Sequence, residues 1–236
     1  MNYSIKMKMK TILISAAFVI SFTIAGMPQT ASNSITMHEY RIDSTAIWSP
    51  GMSIMQNIRN VCSEDKYPDF GKCFVEQMKQ SGASPQAVEF AKLTDNQGYL
   101  RDFRKFGNVD VAYSNFPFRA NENQVCFLVN GSPNMIDVDG YNFMPFGELK
   151  KNGQYKLIQK KYHDVSIWPG DRYGTNYPDY KILSGGGQRF IFNYQLHNGC
   201  HACEIIGYAK LAFDFNKRGK FLGVKVLDVK TASVSN

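Results

Sequence analysis

Histidine and tryptophan are scarce in this chain, at four and two of 236 residues. No Gly-x-Ser-x-Gly elbow is present, so His163-Asp164 has no serine with which to build a hydrolytic triad. No repeat period runs through the sequence, which excludes a collagen-like chain or a coiled-coil rod. Charged residues make up only 20% against 44% hydrophobic and 14% aromatic, a balance that excludes a disordered chain. Beyond residue 26 no apolar run approaches the ~20 residues a membrane helix needs. Gly185-Gly186-Gly187 leads into a strand pattern rather than a helix, so it reads as a turn and not a phosphate cradle. Asp137-Val138-Asp139-Gly140 has the start of a calcium loop, but Tyr141, Phe143 and Phe146 stand where later oxygen ligands belong.

What the sequence does carry begins at its N-terminus. Lys6, Lys8 and Lys10 precede Thr11–Gly26, a charge-free run too short to span a bilayer. A basic stub followed by a short apolar core predicts a secretory signal peptide over residues 1–25, with cleavage after Ala25 and Ala31 as a second option. Removing three lysines leaves 24 basic against 20 acidic residues, a mild +4. That excess suits solubility or an acidic envelope surface better than nucleic acid, and no nucleic-acid partner is expected. The expected location is periplasmic or secreted, with no membrane span after cleavage.

Residues 26–47 read as a loosely ordered arm and 48–236 as a single disulfide-containing domain. Ile54, Met55, Ile58, Val61 and Cys62 recur at helical spacing, as do Phe70, Cys73, Phe74 and Met78. Ser84-Pro85 is a cap followed by proline at the first helical position. Tyr99, Leu100, Phe103 and Phe106 predict a fourth short helix ended by Gly107. From Val109 the period becomes two, through Val111 and Tyr113, and Val125–Val129 is apolar on both faces, as in a central strand. Gly147–Gly187 reads as irregular. Phe190, Phe192, Tyr194 and Leu196 share one strand face; Ile205, Ala209, Leu211, Phe213 and Phe215 share another; Phe221–Val229 returns after an Asn216–Gly219 turn. Helices followed by strands predict an α+β fold, a helical block packed on a mainly antiparallel sheet with a C-terminal meander.

Five cysteines in an exported chain predict disulfides. Cys62 and Cys73 would staple a helical hairpin. Cys200 and Cys203 depend on the turn. A two-residue Asn198-Gly199 hairpin would put them on opposite faces of one strand, about 10 Å apart, beyond the ~7 Å a disulfide tolerates. A longer loop, with Leu196 facing Ile205, allows the bond and is the expected arrangement. Cys126 reads as a buried thiol.

The segment His197–Glu204 concentrates two histidines and two cysteines. It reads first as a disulfide brace at a hairpin tip. An alternative is thiol–disulfide exchange, with Cys200 attacking, Cys203 resolving and His201 tuning, although a strand rather than a helix follows. A third is zinc or copper held by His197, Cys200, His201 and Cys203. Covalent haem is excluded because Glu204 stands where the histidine would follow the second cysteine. No cofactor is expected on the first reading. Tyr162, Trp168, Tyr173, Tyr177 and Tyr180, interleaved with Lys, Pro and Gly, make a candidate binding surface for an envelope protein, peptide or glycan. The expectation is an exported, non-catalytic binding protein, with the oxidoreductase or metal-binding reading as the alternative.

Overall fold

The computed structural model describes residues 40–62, 69–119, 123–170 and 177–232. The expected leader, the arm before Tyr40, and Tyr173 lie outside the described residues.

Three helices come first: α1 (Met52–Val61), α2 (Phe70–Gln80) and α3 (Pro85–Leu93). Short polar side chains start two of them. The Asp69 carboxylate accepts from the Lys72 N–H and the Ser84 hydroxyl from the Ala87 N–H, each satisfying a donor the first helical turn leaves unpaired. The expected Cys62–Cys73 bond joins α1 to α2, with Cα atoms 5.6 Å apart. Ile58, Phe74, Met78 and Ala91 bury their side chains around Trp48 and Tyr99.

A four-stranded antiparallel sheet follows in chain order: β1 (Tyr99–Arg104), β2 (Asp110–Asn115), β3 (Gln124–Val129) and β4 (Met135–Asp137). Two helices, α4 (Phe146–Leu149) and α5 (Gly153–Lys161), lead to a second sheet. Its strands are β5 (Val165–Pro169), β6 (Asp179–Ile182), β7 (Gln188–Asn198), β8 (Ile205–Phe215) and β9 (Phe221–Thr231). Long antiparallel ladders join β7 to β8 and β8 to β9. The opposite edge of β7 is shared, with β6 along Gln188–Ile191 and β5 along Tyr194–Asn198. The fold is α+β.

The described domain is layered. Val111, Tyr113, Leu128 and Ile136 of the first sheet pack with Phe190, Phe192, Tyr194, Leu196, Leu211 and Phe213 of the second. The far face of the first sheet presents Leu100, Ala112, Phe127 and Val129 to Phe90 of α3 and to Ile42 and Ala46. That sandwiching explains why β3 is apolar on both faces. Gln188 ties the sheets: its Oε1 accepts from the Val109 N–H at 2.8 Å and its Nε2 donates to the Val109 carbonyl at 3.0 Å. Among the described residues no helix is long and apolar enough to cross a membrane.

Four local expectations need correction. Residues 99–104 form a strand, not a helix. A β-bulge between Leu100 and Asp102 inserts one residue, so Leu100 and Phe103 fall on the same face three positions apart and imitate helical spacing. Gly147–Gly187 is not irregular throughout: it contains α5, β5 and β6. The α5 helix escapes a periodicity reading because it buries only Tyr155 and Ile158. Its start is set by Asn152, whose Oδ1 accepts from the Gln154 and Tyr155 N–H groups at 3.0 and 3.2 Å. The β7–β8 register also differs. Leu196 pairs with Gly207 and, after a bulge, His197 pairs with Ile205. Ile206, not Ile205, thereby turns into the core. Finally, the end of the expected loose arm is tied down from Tyr40. Ile42 and Ala46 are buried, and Asn130 exchanges two 2.8 Å hydrogen bonds with the Ile42 backbone.

Candidate functional site

The β7–β8 connection is a six-residue loop in which Cys200 and Cys203 lie at disulfide distance, their Cα atoms 5.1 Å apart. The ladder continues to its base, where the Asn198 N–H donates to the Glu204 carbonyl at 3.0 Å. His197 is buried under the loop. Its Nδ1 donates to the Cys203 carbonyl across 3.1 Å, and its Nε2 meets the side-chain amide of Gln195 at 3.2 Å. His197 thus anchors the loop to the sheet. His201 projects from the tip, its ring centre 5.7 Å from that of His197 and 5.1 Å from that of Trp168. Joined sulfurs do not act as thiolate donors. Among the described residues no group of three or more His, Cys, Asp or Glu side chains is placed to hold a metal ion. Cys126, on β3, keeps its thiol and is half-buried.

Trp168 comes from β5, which pairs with β7 along one side. The Gly199 N–H donates to the Asp164 carbonyl and the Gly170 N–H to the Asn193 carbonyl. These bonds bracket β5 and direct its even-numbered residues toward β7. The N–H and C=O groups of Val165 and Ile167 therefore point outward, and among the described residues no backbone group bonds to them. Along this outer edge runs a cleft of about 440 Å³, within the size range of ligand sites. One wall is Val165, Ser166, Ile167 and Trp168; the other is Asp139, Tyr141, Met144 and Phe146. Side chains of Val165 and Ile167 turn toward the core, while Ser166 and Trp168 lie on the outer face beside Gln195 and His197. The Trp168 indole N–H donates to the Ser166 hydroxyl at 2.8 Å, which ties the ring to its own strand. Tyr141 is 78% exposed and leans on Phe146, with ring centres 4.9 Å apart.

Of the described rings expected to form a binding surface, Trp168 alone lines this cleft. Tyr162, Tyr177 and Tyr180 are half-buried against the core. Tyr180 packs on Phe106 and Phe190. The Tyr177 hydroxyl donates to the Asp102 carboxylate, and the Arg104 guanidinium sits 4.1 Å above its ring. Burial, reinforced by the Asp102 charge, pushes the Tyr177 phenol well above its usual value. Tyr141, Met144 and Phe146 were missed as wall residues. Their signal is an aromatic cluster directly after an Asp-Gly turn, legible only as a failed calcium loop.

Comparison with known protein families, characterised proteins and solved structures gives no match.

Proposed function

We propose that this chain is an exported, non-catalytic binding protein of a bacterial-type envelope or the extracellular space, and that the cleft beside β5 is its contact site for a partner polypeptide. The carrying observation is the cleft itself: apolar and aromatic walls beside the outward backbone groups of Val165 and Ile167, which meet no backbone group among the described residues. Such walls offer buried apolar area, and Trp and Tyr are among the residue types that dominate binding energy once a partner covers them. The oxidised tip suits this reading, since its loop carries His201 to the Trp168 ring.

The test has two parts. Intact mass of the protein recovered from an envelope fraction should lack residues 1–25. Partners captured from that fraction and then purified should bind a Trp168→Ala, Tyr141→Ala variant at least about tenfold more weakly, the loss of one modest hot spot. Equal affinity for both forms overturns the assignment of the cleft.

Thiol–disulfide exchange is the second reading, favoured by the exposure of Cys200 at the tip. A partner thiolate would attack the Cys200 sulfur and release Cys203 as the thiolate. Full reductase activity after Cys200→Ser would exclude it.

A further inference from the structure

The end of the second sheet remote from the Cys200–Cys203 loop carries a different chemistry. We propose that this end is a contact surface for the anionic phospholipid headgroups of a bilayer face. The proposal is independent of the cleft beside β5, which borders the other end of β7.

Three observations point to it. First, the β6–β7 and β8–β9 turns enclose a pocket of about 350 Å³ whose lining includes Ser184, Lys217 and Arg218 and, among the described residues, no carboxylate. Lys220 belongs to the same β8–β9 turn, and Lys105 to the β1–β2 loop, whose Asn108 amide donates to the Lys217 carbonyl at 2.7 Å. These cations are exposed, and among the described residues none of them meets a carboxylate. Asp214, one position before Phe215 of the lining, is 3% exposed and already taken by Arg189 and Lys225. Second, the basic turn is held in shape. Asn216 Oδ1 accepts from the Arg218 and Lys220 N–H groups at 2.8 and 3.0 Å, and the Asn216 N–H donates to the Lys220 carbonyl at 2.9 Å. A turn already ordered loses less entropy on binding. Third, large aliphatic side chains stand beside the charge. Leu222 lines the pocket and is 61% exposed; Ile182, next to Leu183 of the lining, is 71% exposed. This pairing suits a lipid surface, where phosphates attract the cations and aliphatic groups enter the boundary between headgroup and acyl chain. A polyanionic glycan or nucleic acid would use the charge and leave Ile182 and Leu222 uncovered.

The experiment is co-sedimentation of the purified protein with phosphatidylcholine vesicles containing roughly 30% phosphatidylglycerol, a charge density at which each surface cation strengthens binding about fivefold. The wild type should bind these vesicles and not pure phosphatidylcholine, and binding should weaken as salt is raised. Lys217→Gln with Arg218→Gln should weaken it by about tenfold or more. Ile182→Ser with Leu222→Ser, which leaves the charge unchanged, should weaken it about threefold or more. Lys156→Gln with Lys160→Gln on α5 removes the same charge from exposed positions elsewhere and should bind as the wild type does. Failure to bind the anionic vesicles, indifference to the Lys217 and Arg218 pair, or an equal loss from the α5 pair overturns the proposal. Sensitivity to the charge pair with indifference to the Ile182 and Leu222 pair marks a site for a soluble polyanion and overturns lipid contact. Displacement by inorganic phosphate at constant ionic strength marks a small-anion pocket and overturns it likewise.

Discussion

Asp214 shows how single charges are accommodated in this domain. Its carboxylate is 3% exposed and accepts from Arg189 Nε and Nη2 at 2.6 and 2.7 Å, with Lys225 Nζ at 3.3 Å. Burial raises its pKa, but the bidentate Arg189 pair and Lys225 outweigh that and hold the carboxyl below its usual 3.8. Because the folded value is the lower one, the stabilisation is complete above the ordinary carboxylate value and is lost as pH falls through the folded one. Urea midpoints of the wild type and Asp214→Asn should therefore differ at neutral pH and converge well below pH 3.8; a constant gap would refute the account. Asp110 is a second such centre. It is buried and accepts from the Phe106 and Gly107 N–H groups, from Arg41 and from Asn130. Asp110→Ala leaves the Phe106 and Gly107 N–H groups without their acceptor and removes the Arg41 ion pair, and should cost about 3 kcal/mol in denaturant unfolding. Neither partner set was readable beforehand, since Arg189 lies 25 residues from Asp214. Trp168 was readable as a candidate from its composition context; its cleft partners Tyr141 and Phe146 were not, because no spacing rule links them to β5.

Helices α1 to α3 were legible because each carries its own instructions: an apolar face in all three, a side-chain cap in α2 and α3, and in α3 a proline at its first turn. The weakly periodic elements were not. α5 depends on Asn152, and Asn152→Ala should destabilise the domain by about 1 kcal/mol, measured by the denaturant midpoint. β1 was misread because its bulge reproduces a helical interval. The two disulfides should differ in weight. Loss of Cys62–Cys73, which spans 11 positions, costs about 3 kcal/mol in the chain-entropy account, and loss of Cys200–Cys203, spanning three, about 2 kcal/mol. Serine double variants should keep that order in urea. The tip variant should also alter Trp168 emission, read in a Trp48→Phe background, because its loop sets the position of His201.

Across the described domain, the first sheet is covered by helices on one face and by the second sheet on the other, so neither sheet keeps its core without its neighbour. Trp48 lies in the helical cluster and Trp168 on the second sheet, which gives a reporter in each layer. Heating should produce one transition, with coincident midpoints for variants that retain only one of the two tryptophans; separated midpoints would show that the layers unfold independently. Local chemistry settled the apolar faces of α1 to α3, the alternation of β2, β7 and β8 and the Cys62–Cys73 staple, since each depends on residues a few positions apart; it left open whether a tight hairpin or a longer loop joins β7 to β8, on which the meeting of Cys200 and Cys203 depends. Packing between distant segments settled the β7–β8 register, the strand at Tyr99–Arg104 and the cleft. A register is chosen by which side chains fill the space between layers, and a cleft exists only once the segments that wall it have packed.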